Sequence, residues 1–83
     1  MQPEKPEEEK RARLIGELWR EREALMARAV ENAPGCRFEN GVLFLDYQDP
    51  LYSGWAKVFT ASEKMPRLKA IAKQIGIVVE VVS

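Results

Sequence analysis

Asp46, Asp49, Cys36 and Ser53 are the residues whose types and spacing raise the question of catalysis or metal binding. Asp46 and Asp49 stand three apart in "DYQDP", a spacing that invites a metal or acid–base reading for two carboxylates. Asp46, however, closes an apolar run that reads as a strand, and Asp49 precedes Pro50, where aspartate is a common turn residue. The chain has no histidine, so the usual general base near neutral pH and the commonest metal ligand are missing. The same lack leaves Cys36 without a base to activate it, and a small buried thiol is its expected role. Ser53 in "YSGW" lacks the glycine two residues earlier that a nucleophile elbow needs. The glycines are scattered at 16, 35, 41, 54 and 76, which gives no phosphate-cradling loop. The expectation is a chain that is not an enzyme and uses no cofactor and no metal.

Two features point to binding instead. Tyr52, Trp55 and Phe59 fall three and four residues apart, one side of a short helix. Phe59 is expected in the core. Tyr52 and Trp55 are open between core cap and interface, because such amphipathic aromatics are enriched where proteins meet. The second feature is a basic segment, where Lys57, Lys64, Arg67, Lys69 and Lys73 face Glu63 alone, a net of plus four. Leu51, Tyr52 and Trp55 are the expected partner anchors, and those five cations an electrostatic rim.

Composition bounds these readings. The chain holds 83 residues, one small domain, with lysines plus arginines equal to aspartates plus glutamates at 13 each. A balanced total argues against general binding to nucleic acid or anionic membranes, which rests on excess positive charge. The single cysteine rules out an internal disulfide. No apolar run approaches the roughly 18 residues of a membrane span and no signal-peptide core is visible, so a cytoplasmic location is expected.

The elements that must position these residues follow from periodicity. "MQPEKPEEEK" is charged and proline-rich, and residues 1–12 are expected as a polar flexible arm or linker remnant. Its glutamates also suit the N-terminal end of a helix. Leu14, Ile15, Leu18, Trp19, Leu25, Met26, Ala29 and Val30 form one helical stripe from about Glu7 to Asn32, ended by "ENAPG". "CRFENGVLFLDY" is a hairpin about a type I′ Asn40–Gly41 turn, with Leu43, Leu45 and Tyr47 on one face and Val42 and Phe44 on the other. A strand apolar on both sides is covered twice or offers one face to a partner. "DPLYSGW" is a turn, followed by two helical pieces that meet near Met65, since Pro66 fits only a first turn. Ser62 or Thr60 is expected to cap the second piece, Thr60 with the capping-box spacing to Glu63. Leu68, Ile71, Ala72 and Ile75 face inward on it, Gly76 caps it, and "IVVEVV" is a closing strand with Glu80 outward. The order is α-β-β-α-α-β, an α+β fold with a three-stranded mixed sheet backed by helices over residues 13–83.

That order resembles the type II KH-like fold, whose nucleic-acid-binding members grip single strands with a GXXG loop between the middle helices. Here that place reads "FTASEKMP" and holds no glycine, so the resemblance extends to the fold and not to the gripping loop. Within that fold, "LWREREALMARAVENAPGCRFENGVLFLDY" and "KVFTASEKMPRLKAIAKQIGIVVEVV" look like the C-terminal domain of the tau subunit of the bacterial DNA polymerase III clamp loader. Trp19, the small-residue stretch "ALMARA", Leu43 with Leu45, Glu63, and Leu68 with Ile75 and Gly76 carry the likeness, which spans about residues 14 to 82. The resemblance implies a non-catalytic tether for DNA replication, binding the polymerase catalytic subunit, with the replicative helicase as the neighbouring partner. It also implies an excised domain or a free-standing relative, because the ATPase module of that family is absent from these residues. The alternative is a nucleic-acid-binding module like the bacterial helicase-operator proteins, which share the "WA" pair at Trp55–Ala56. Weak nucleic-acid binding would then use the basic helix. A monomer is expected, with a homodimer through the two-sided strands as a further reading, and no membrane partner.

Overall fold

In the computed structural model, which describes residues 6–60 and 64–83, the chain opens with a helix that stops sooner than its apolar stripe suggests. Helix α1 runs from Pro6 to Arg20 and α2 from Ala24 to Glu31. Between them Arg22 adopts a φ of 60°. The Arg22 N–H donates to Trp19 O at 3.1 Å and the Glu23 N–H to Leu18 O at 2.8 Å, the paired bonds of a Schellman cap. The single long helix expected from the stripe is therefore two, and α2 turns back to pack on α1. The break changes the phase of the stripe. Leu14, Leu18, Met26, Ala29 and Val30 remain buried, Ala27 joins them, and Trp19 and Leu25 are exposed.

Of the arm expected over residues 1–12, residues 1–5 lie outside the described residues. Residues 6–12, assigned to a flexible arm, form the first turns of α1 and lie against the sheet. Charged side chains make this contact: the Lys10 amine sits 5.7 Å from the Phe38 ring centroid, and Arg11 donates to the Ala33 carbonyl at 3.4 Å.

The hairpin follows the sequence closely. Strand β1 (Gly35–Glu39) pairs antiparallel with β2 (Val42–Asp46), and Asn40 and Gly41 both take positive φ, as a type I′ turn requires. After β2 come α3 (Ser53–Thr60) and α4 (Met65–Gln74), and β3 (Val78–Val82) then pairs parallel with β2. Among the described residues the sheet order is β1-β2-β3, a three-stranded mixed sheet in an α+β fold with four helices. The helix boundary expected near Met65 is where α4 begins, with Pro66 in its first turn. The capping roles expected of Ser62 and Glu63 lie outside the described residues. Thr60 ends α3, its hydroxyl donating back to Ala56 O at 3.4 Å.

The C-terminus of α4 repeats the cap seen after α1. The Gly76 N–H donates to Lys73 O at 3.0 Å and the Ile77 N–H to Ala72 O at 2.9 Å, with Gly76 at a φ of 72°. Here glycine supplies the left-handed residue without a Cβ penalty, whereas after α1 an arginine must.

The helices cover one face of the sheet. Leu43, Leu45, Tyr47 and Val79 are buried on that face with Leu68, Ile71 and Phe59. Among the described residues the opposite face carries no helix. There Arg37 and Glu80 stand in register on either side of Phe44, and the Arg37 guanidinium lies 5.1 Å from the Phe44 centroid. The two-sided apolar character of β2 is met by a helical layer on one side and a stacked arginine on the other.

Tyr47 joins these parts. Its N–H donates to Val82 O at 2.7 Å, its ring lies 6.1 Å from that of Phe59, and its hydroxyl donates to Ala29 O at 2.5 Å. The residue four beyond Ala29 is Ala33, whose N–H goes to Val30 O instead. Ala29 O is thus a helix-end carbonyl that Tyr47 satisfies. Tyr47→Phe keeps the packing and strands that carbonyl, so it should lower unfolding free energy by about 1–3 kcal/mol in urea titration. Arg22→Gly removes the left-handed penalty and should raise the unfolding free energy by about 0.5–1 kcal/mol after the cost of glycine in the unfolded chain, seen as a higher urea midpoint at unchanged slope.

Candidate functional site

The segment between β2 and α3 is held by side chains of its own. Asp46 Oδ1 accepts the Gln48 N–H at 2.9 Å, and Asp49 Oδ1 accepts the Leu51 N–H at 2.9 Å. Asp49 O also accepts the Tyr52 N–H at 2.9 Å, and the Ser53 hydroxyl donates to Pro50 O at 3.2 Å. Asp46 further lies 3.7 Å from Arg37. The two aspartates and Ser53 thus hold turn geometry, the role that aspartate and serine commonly play.

This turn carries a graded set of large side chains. Leu51 is 88% exposed and Tyr52 39%. Trp55, one turn into α3, is half-buried against the core, and Phe59 is fully inside it. The structure therefore separates the anchors named from sequence. Leu51 and Tyr52 project, while Trp55 is partly buried against the core.

The five cations do not form one rim. Lys57 is exposed on α3. Lys64 at the start of α4 reaches Glu23 Oε1 at 3.1 Å. Arg67 engages Glu23 Oε2 at 3.1 Å and Glu21 at 3.4 Å. Lys69 lies two positions on, roughly 200° around the helix, and pairs with Glu80 at 3.4 Å. Lys73, one turn further, shares the β3 side with Lys69. Lys64 and Arg67 thus fasten α4 to the α1–α2 corner, and Lys69 and Lys73 look toward β3. The acids that divide them, Glu21, Glu23 and Glu80, are distant in sequence from the cations they meet, so counting charge along the segment misses them.

Burial would raise the Glu23 carboxyl, but the Arg67 and Lys64 hydrogen bonds and charges outweigh it and hold the group below its usual 4.5. Burial pushes the Cys36 thiol up, which keeps it protonated near neutrality, and its Sγ lies 3.7 Å from Glu7 O. Tyr47 is likewise raised by burial, so its hydroxyl stays a donor to Ala29. Among the described residues no three of histidine, cysteine, aspartate and glutamate gather as a metal cluster, and no helix is long and apolar enough to cross a membrane.

Compared with models of protein families, with curated proteins and with solved structures, the chain matches none. The resemblance to the tau domain rests on the residues quoted for it.

The Glu23 cluster gives a pH expectation. A carboxyl lowered in the folded state adds stability that is full above about 4.5 and fades as pH falls through its folded value. Glu23→Gln should therefore cost about 1 kcal/mol at neutral pH, since its cationic partners are half exposed. The difference from the parent chain should shrink as pH falls below 4.5 and Glu23 takes up its proton, read from thermal melts across pH.

Proposed function

We propose that this chain is a non-catalytic protein-interaction module whose principal contact is the Leu51–Tyr52 turn. The observation that carries the reading is the 88% exposure of Leu51 on a turn fixed by Asp49, beside a partly exposed tyrosine. A large apolar side chain held out on a rigid turn loses little conformational freedom when it enters a partner's pocket. Half-exposed Trp55 follows on α3, and exposed Lys57 on the same helix supplies a charge for steering. Together with the sequence resemblance, this favours a tether in the bacterial replisome, with the DNA polymerase III catalytic subunit as partner. Such a partner would put the chain in the cytoplasm.

The nucleic-acid alternative is the weaker reading, because Lys64 and Arg67 are held by Glu23 and Glu21 at the α1–α2 corner. Leu51→Ala and Tyr52→Ala should each weaken binding to the catalytic subunit about tenfold, measured by calorimetry, with unchanged melting temperature. Parental affinity in both variants would rule out the turn as the contact. Salt-dependent binding of single-stranded DNA, with no binding to the catalytic subunit, would favour the alternative.

A further inference from the structure

Among the described residues strand β3 is an edge strand that pairs with β2 alone. The bond from the Tyr47 N–H to Val82 O shows which backbone groups of β3 face β2. Since backbone groups alternate sides along a strand, Val78, Glu80 and Val82 turn theirs to β2, and Val79 and Val81 turn theirs to the open edge. Protein edges are usually guarded by proline, a bulge, charged side chains on the strand or a covering element, and of these β3 itself has the single charge of Glu80. β3 reads "VVEVV", runs in unbroken register with β2 and exposes Val78 by 57%.

What crosses this edge is one ion pair. Lys69 belongs to α4, on the helical face of the sheet, while Glu80 points to the other face, opposite in sense to buried Val79. The Lys69 amine reaches Glu80 at 3.4 Å by passing around the open side of β3. Both side chains are about half exposed, so the pair is weak and readily exchanged. Beneath it lies a groove of about 250 Å³, lined by Lys69, Lys73, Ile77, Val78, Val79 and Glu80. Among the described residues Lys73 has no acidic partner within 4.0 Å.

We propose that the open edge of β3 receives an extended segment of another protein as a fourth strand, one that alternates acidic and apolar residues. The backbone of Val79 and Val81 supplies the ladder, and alternate side chains fall on the two faces. On the α4 side the acids meet Lys69 and Lys73, and on the other side the apolar residues lie along Val78. The spacing agrees. Two acids at alternate strand positions stand about 6.6 Å apart, and lysines four apart on a helix about 6 Å. Lys69 leaves Glu80 for the incoming carboxylate, so the strap that closes the edge becomes a contact. This surface uses neither Leu51 nor Tyr52 and does not depend on what that turn binds.

The test uses the whole chain and an eight-residue peptide alternating glutamate and valine, with a lysine–valine peptide as control. The glutamate peptide should slow amide exchange at Val79 and Val81 at least tenfold and leave Leu51→Ala binding unchanged. Lys69→Glu with Lys73→Glu should weaken it at least tenfold, while Glu80→Gln, which frees Lys69, should strengthen it a few-fold. Three results would overturn the proposal: unaltered exchange at both amides with millimolar peptide, equal binding of the lysine peptide, or peptide-independent protection that grows with protein concentration. The last would mean that a second copy of this chain occupies the edge.

Discussion

The hydroxyl of Tyr47, donated to the Ala29 carbonyl, is the contact on which the arrangement of the molecule depends. Tyr47 stands just past β2, so this one bond ties the end of the central strand to the last turn of α2. Its ring holds Phe59 and thereby α3, while its backbone holds the end of β3. A buried carbonyl without a partner costs more than an ordinary hydrogen bond contributes, and the tyrosine must therefore stay where it is. Fixing Tyr47 fixes the start of the turn that follows. Leu51 and Tyr52 project from a segment anchored at both ends, at Tyr47 in the core and at Phe59 two turns into it.

The charged side chains organise the outside in a similar way. Glu23 draws Lys64 and Arg67 onto the corner between α1 and α2, which locates the start of α4. The other flank of α4 keeps its lysines for β3. A helix that reads as uniformly basic therefore has one flank used for assembly and one left for contact. The division follows from helical geometry, because residues two apart cannot share a flank.

Much of this was legible in the residues themselves. Asn40–Gly41 can hold two positive φ values cheaply, so the hairpin and its register followed from a dipeptide. Gly76 marked the end of α4 for the same reason. The cap after α1 has the same hydrogen bonds but an arginine in the left-handed position, and no local signal announces it. Only the tertiary demand that α2 pack on α1 selects that conformation, and with it the exposure of Trp19 and Leu25. The candidate site was legible as residue types and not as a patch. Phe59 took the core position its spacing suggested, yet the cations separated, because Glu21, Glu23 and Glu80 reach them only through the fold.

The parallel pairing of β2 and β3 also sets where the molecule can be handled. Both strands run the same way, with Asp46 level with Val82, so the C-terminal residue and the Leu51–Tyr52 turn leave from one end of the sheet. The Asn40–Gly41 turn lies at the other end, about 16 Å away for strands of five residues. A fluorophore or surface linker at Ser83 would sit at the same end of the sheet as the projecting leucine, whereas one at Asn40 would sit at the other. Immobilisation geometry is thus dictated by the direction of a single strand.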